Sequence, residues 1–166
     1  MSTPPYDVCI YTLTSYMTEE DLARAEQARL MCPCNKLRKG ARGLTQLYEN
    51  ALAGSGLKIT QLPVLIALAI GGDQPVTSLA AVVGLDRTTL TRNLRVLEQR
   101  GLVATRESDD DARVRIVSFT LEGSSVLSAA LARWHVVQTE IERTFGQQRL
   151  QALYDELDAL AEVAAV

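Results

Sequence analysis

Apolar residues recur at helical spacing along most of this chain and give way to strand-like runs only between residues 102 and 120. Leu37, Ala41, Leu44, Tyr48 and Leu52 share one stripe of a helix that ends near Gly54-Ser55-Gly56. Leu127, Ala130, Leu131, Trp134, Val137 and Ile141 mark a long helix that stops at Phe145-Gly146. Leu150, Leu153, Tyr154, Leu157, Leu160 and Ala161 mark a final one. Between these flanks, a short helical pattern over Val76–Val83 meets a glycine turn at Gly84, and a second helical pattern fills residues 86–101. In that second helix Leu90, Leu94 and Leu97 fall on one stripe and must face a core, while Thr88, Thr91, Arg92, Arg95 and Gln99 fall on the other side. Residues 102–106 and 114–120 are rich in β-branched side chains, and the polar turn 107–113 joins them into a hairpin with a charged tip.

Helix, glycine turn, helix and charged hairpin, in that order, predict a winged helix-turn-helix. A row of guanidinium and hydroxyl groups along a short helix suits base edges and phosphates in a major groove. The DNA contacts expected are Thr77, Arg87, Thr88, Thr89, Thr91, Arg92 and Arg95, with Arg113 at the hairpin tip reaching a narrow minor groove. The competing reading of the same helix is an ordinary amphipathic segment with a solvated arginine face. Asp109, Asp110 and Asp111 look wrong for a DNA surface unless at least one of them pairs with an arginine and holds it in place.

Here the chain resembles the multiple antibiotic resistance regulator (MarR) family of bacterial transcription factors. The wing signature of that family is Asp-x-Arg, five residues, then Leu-Thr; this chain has Asp111-Ala112-Arg113, five residues, then Phe119-Thr120. The substitution of Phe for Leu keeps that position apolar. The resemblance extends to residues 57–65, to the basic stretch 37–42 and to the two C-terminal helices, covering about residues 34–164. It implies a fold that is mainly α with a small β-hairpin wing, joined to a helical dimerisation region. It also implies a homodimer on a pseudo-palindromic double-stranded DNA operator, with an effector pocket between the dimer helices and the winged domain. In that pocket Arg38 and Arg42 could clamp a carboxylate or phenolate, Tyr48 or Trp134 could supply an aromatic wall, and Leu65 an apolar one. Both arginines could equally pair with acids across the dimer.

Composition fits one globular domain, with 166 residues and 47% hydrophobic content. Residues 62–70 form the longest apolar run, which Pro63 interrupts and which is too short to span a bilayer. The N-terminus lacks the basic and apolar regions of a secretory signal, so the expected location is the cytoplasm, with no membrane partner. A net charge of −3 does not announce a DNA binder. Its distribution matters more: residues 24–58 hold seven bases and two acids, residues 85–115 hold seven arginines and six acids, and residues 121–166 hold three bases and seven acids.

Three apolar stripes exceed what a winged helix alone can cover, so the flanking helices are expected to pack against a second copy. The expected division is an N-terminal extension at 1–33, a dimerisation helix at 34–56, the winged domain at 57–120 and C-terminal dimerisation helices at 121–166. In the extension, Thr18 followed by Glu19-Glu20-Asp21 reads as a helix start, and residues 6–16 carry β-prone alternation without an obvious partner. Cys9, Cys32 and Cys34 admit three readings: small packed side chains, oxidant-sensing thiols, or part of a thiolate metal site. The metal reading lacks a fourth ligand, because His135 is the single histidine and lies far along the chain, so no metal and no cofactor are expected. No nucleophile with a base and orienting acid can be assembled, and Gly71-Gly72 lacks a following Lys-Ser/Thr, so no enzyme is expected. The expected function is a transcriptional regulator, a repressor released by a small anionic or aromatic effector. The alternatives are a thiol-based redox regulator of the same fold and a winged-helix protein-interaction module.

Overall fold

A computed structural model describes residues 17–164. Cys9 and the β-prone stretch 6–16 lie outside the described residues. Packing divides the chain into two units, Met1–Leu44 and Thr45–Val166.

The first unit contains helix α1 (Glu19–Met31) and the opening of α2 (Pro33–Leu52). Thr18 caps α1 as its sequence predicts. Its hydroxyl accepts from the Asp21 amide at 3.1 Å, and the Asp21 carboxylate accepts from the Thr18 amide at 3.2 Å. The carboxylate also accepts from the Thr18 hydroxyl at 2.8 Å, and that bond, followed by the one from the Thr18 amide, holds the Asp21 carboxyl below the usual carboxylate range. Arg24 pairs with Glu20 and Arg29 with Glu26 along the same helix. No residue of α1 is buried. Cys32 ends it, and Pro33 opens α2 at a position where the missing amide hydrogen is not needed. Cys32 is half-buried and Cys34 is exposed.

The second unit begins with the end of α2. Leu52 is buried, a 3-10 turn follows over Ala53–Ser55, and Gly56 takes the left-handed φ of 70°. Helix α3 (Leu62–Gly71) buries Leu62, Val64, Leu65, Ala67 and Leu68, which explains its apolar run as the central core helix. Strand β1 (Gln74–Pro75) leads directly into α4 (Val76–Val83), and Gly84 at φ 63° makes the turn into α5 (Arg87–Gln99). The hairpin consists of β2 (Val103–Glu107) and β3 (Arg115–Phe119), in antiparallel register from Val103↔Phe119 to Glu107↔Arg115. β1 pairs with the far side of β3, giving a three-stranded sheet in the order β1-β3-β2 where the sequence pattern predicts two strands. Two residues, one of them proline, are too few to display a strand period.

The apolar stripe of helix α6 (Leu121–Phe145) divides between two environments. Leu127 and Ala130 join the same core as Leu65, Leu79, Leu90 and Leu97, and Trp134 packs against it. The front of α6 is therefore covered by its own chain, while Leu131 and Val136 stay exposed. Helix α7 (Gln147–Ala164) packs on α6, with Leu150 buried and Leu153, Tyr154, Leu157 and Leu160 exposed.

Thr120 joins wing to helix. Its hydroxyl donates to the Gly101 carbonyl at 2.8 Å and accepts from the Gly123 amide at 2.9 Å, capping α6 while fixing the end of α5. A Cβ on Gly123 would overlap the Leu102 carbonyl oxygen and lie 2.9 Å from the Phe119 ring. Gly123→Ala is expected to destabilise the fold by about 1–3 kcal/mol through overpacking, read from urea denaturation midpoints. An unchanged midpoint would show that this junction gives way without cost.

Candidate nucleic-acid interface

Helix α5 is placed from four directions. Leu90, Leu94 and Leu97 are buried beneath it. At its start the Asp86 carboxylate accepts from the Thr89 amide at 2.9 Å and from the Thr89 hydroxyl at 2.6 Å. Those bonds, the side-chain one first, hold the Asp86 carboxyl below the usual range. On its flank the Asn93 amide donates to the Thr60 carbonyl at 3.2 Å, and past its end Arg100 donates to the Gly56 carbonyl at 2.6 Å. The polar side chains of α5 are thereby left facing solvent.

An open groove of about 370 Å³ lies between α4, α5 and the wing. Five of the eight expected DNA contacts line it: Thr77, Arg87, Thr91, Arg95 and Arg113. Thr88, Thr89 and Arg92 are exposed but lie outside it. Thr89 spends its hydroxyl hydrogen on Asp86, and Thr91 donates back to the Arg87 carbonyl at 2.7 Å. Sequence reasoning missed Glu98, Thr105 and Arg115, which also line the groove, over a floor that includes Pro75, Val76, Leu94 and Val114. Alternation along the hairpin could have found Arg115, since it stands two residues beyond Arg113. Glu98 accepts from the Thr105 amide at 3.2 Å, fastening the recognition helix to the first wing strand.

The wing acids have local partners. Asp111 accepts from the Arg113 backbone amide at 2.9 Å and from its guanidinium at 3.3 Å. Asp109 accepts from Arg106 at 3.2 Å. Two of the three aspartates therefore orient arginines, and Asp-x-Arg is a turn in which the acid aims the base.

Of the expected effector residues, Leu65 is fully buried in the core. Trp134 is half-buried against that core. Tyr48 donates to Gln138 at 2.9 Å, and Gln138 donates to Glu142 at 2.9 Å. Burial, then the neighbouring Tyr154 and Glu142, pushes the Tyr48 hydroxyl above its usual range. Arg38 and Arg42 are exposed on α2 in the other unit. Among the described residues no cluster of His, Cys, Asp and Glu could hold a metal ion, and no helix is long and apolar enough to cross a membrane.

A model of the MarR family matches residues 55–114. The M. tuberculosis transcriptional regulator MosR, solved in complex with DNA, is 35% identical, with a TM-score of 0.71 over 81% of this chain and 99% of that one. The chain belongs to the MarR family. A probable transcriptional regulator from Pseudomonas aeruginosa is 26% identical, with a TM-score of 0.72 over 78% of this chain and 97% of that chain. The Streptomyces coelicolor regulator PcaV, solved with its natural ligand, shares the MarR fold at 21% identity and a TM-score of 0.75, over 81% of this chain and 94% of that chain. No curated protein matches. As a MarR-family member the chain is a DNA-binding transcriptional regulator and not an enzyme.

Asp86 sets a pH-dependent test of this MarR recognition helix. Its carboxyl is held lower when folded than when unfolded, so the cap stabilises above the usual carboxylate range and is lost as pH falls through the folded value. Asp86→Ala is expected to lower the melting temperature at pH 7, while Asp86→Asn retains most of the cap. The stability gap between wild type and Asp86→Asn should close on acidification; a gap independent of pH would remove the carboxylate from the cap.

Proposed function

We propose that this MarR-family regulator acts as a homodimer on a pseudo-palindromic operator, as a repressor that a small anionic or aromatic effector releases. The observation that carries the dimer is α7. Leu153, Tyr154, Leu157 and Leu160 repeat at helical spacing and remain 37–44% exposed, a stripe too apolar to leave in water. Charge supports a second copy as its cover. Lys36, Arg38, Lys39 and Arg42 on α2 are exposed, as are Asp155, Glu156, Asp158 and Glu162 on α7, and none of them forms an ion pair among the described residues. Residues 34–56 and 121–166 then serve as the dimerisation helices, 57–120 as the DNA-reading domain and 1–33 as an extension. Two copies joined this way present two recognition helices to successive turns of one DNA face.

Thr77, Arg87, Thr88, Thr89, Thr91, Arg92, Arg95 and Arg113 are the proposed DNA contacts. Arg38 and Arg42, one helical turn apart, are the proposed receivers of an effector carboxylate, and Tyr48 or Trp134 is the proposed aromatic wall. Binding there would act through the dimer helices on the spacing of the two reading heads.

Leu157→Asp places a charge in the middle of the α7 stripe. It is expected to convert a dimer to monomer in analytical ultracentrifugation at micromolar concentration and to weaken operator binding in step. A wild-type protein that sediments as a monomer at that concentration would sink the dimer. Thermal-shift titration with aromatic carboxylates tests the effector arm: a stabilisation retained in full by Arg38→Ala and Arg42→Ala places the ligand elsewhere.

A further inference from the structure

The polar face of the recognition helix is two rows. Arg87, Thr91 and Arg95 follow one another at four-residue steps and line the groove, whereas Thr88 and Arg92 form the neighbouring row outside it. One row lines the groove beside the wing, and the other is exposed outside it.

DNA geometry gives those rows different tasks. A helix in the major groove and a hairpin tip in the adjacent minor groove are separated by one sugar–phosphate strand, because that strand is the wall between the two grooves. The space between α5 and the wing is where the wall must pass. We propose that this groove is a seat for one phosphodiester strand, held by Arg87, Arg95 and Arg115, and that base identity is read from the other row by Arg92 and Thr88. The inference rests on the DNA-reading orientation of α5 proposed above.

The chemistry of the groove fits that occupant. Arg87 and Arg95 form no ion pair among the described residues, and the nearest carboxylate of Arg115 is Glu107 at a loose 3.9 Å. Unpaired guanidiniums suit phosphate oxygens, which they meet with two parallel donors. The apolar floor suits the faces of deoxyribose rings rather than a second row of charges. Glu98 is the one carboxylate among the lining residues. It lies about 16 Å along the helix axis from Arg87 at a rise of about 1.5 Å per residue. There it is engaged with the Thr105 amide at 3.2 Å and closes the seat at its far end. Phosphate contacts position a protein on DNA without sequence information, whereas base contacts discriminate. The two rows must therefore differ in what their loss does.

The test uses the full-length protein and two labelled duplexes. One is selected by wild type from a random-sequence pool, and the other is a scramble of equal composition. Fluorescence anisotropy over a series of salt concentrations gives both affinities and both salt slopes. Arg95→Ala and Arg115→Ala are expected to weaken both duplexes by the same factor, about tenfold, and to reduce the slope of log K against log salt by about one. Arg115→Lys should restore the slope. Arg92→Ala should lose about 5- to 150-fold on the selected duplex, leave the scramble nearly unchanged, and relax preference at particular base positions. The assignment is overturned if Arg115→Ala leaves both salt slopes at wild-type values, or if Arg95→Ala alters base preference while Arg92→Ala does not. A wild-type protein that enriches no sequence from the pool would overturn the DNA-reading orientation itself, and the seat with it.

Discussion

Three leucines on the inner side of one helix set the direction of every polar side chain on its outer side. Leu90, Leu94 and Leu97 sink into the cluster formed by Leu65, Leu68, Leu79 and Val117, and the helix can rotate about its axis only by pulling an apolar side chain into water. Each such side chain resists exposure with about 1.5–3 kcal/mol. The rows carrying Arg87, Arg95 and Arg92 are held at fixed angles by that resistance, without bonds of their own to the protein beneath. Asp86 and Arg100 then fix the helix at its two ends, one by a cap and the other through the Gly56 carbonyl. The reading surface is in this sense a by-product of the core.

Much of this arrangement was legible in the sequence because it is periodic or locally bonded. The leucine stripe of α5, the glycine turn at Gly84, the Thr18 cap and the Phe145-Gly146 stop follow from spacing and from residues with a single preferred conformation. That at least one wing aspartate pairs with an arginine was legible too, but which acid meets which base was not, and the Asp111–Arg113 pair is read from the folded turn. What escaped was set by distance along the chain. β1 is two residues long and owes its existence to β3, about forty positions away. Leu127 and Ala130 lie on the same stripe as Leu131, and nothing in their spacing says that two would be covered by the winged domain and the third left bare. The spacing of Leu65 does not say how deeply it sits, and only the packed helix shows it fully buried in the core. Arg115 was passed over because it reaches the groove from the second wing strand.

The wing shows why net charge is a poor guide to a nucleic-acid binder. Asp109 and Asp111 sit within a few residues of Arg106 and Arg113 and accept hydrogen bonds from them. Exposed pairs of this kind contribute little to stability. Their value is geometric, since a guanidinium restrained by a neighbouring acid loses less freedom when it meets a phosphate or a base edge. Acid and base counted together cancel in the total and cooperate in the turn.

Helix α1 behaves as a separate thermodynamic body. With no buried side chain it draws nothing from the hydrophobic core, and a helix of its 13 residues stands near the marginal length for an isolated helix in water. Its order rests on the Thr18–Asp21 box and on the ion pairs of Arg24 and Arg29, all of them exposed. Added salt screens those charges while leaving the leucine core untouched. Added salt therefore weakens this segment more than it weakens the winged domain, and its amides are expected to exchange with solvent by local fraying.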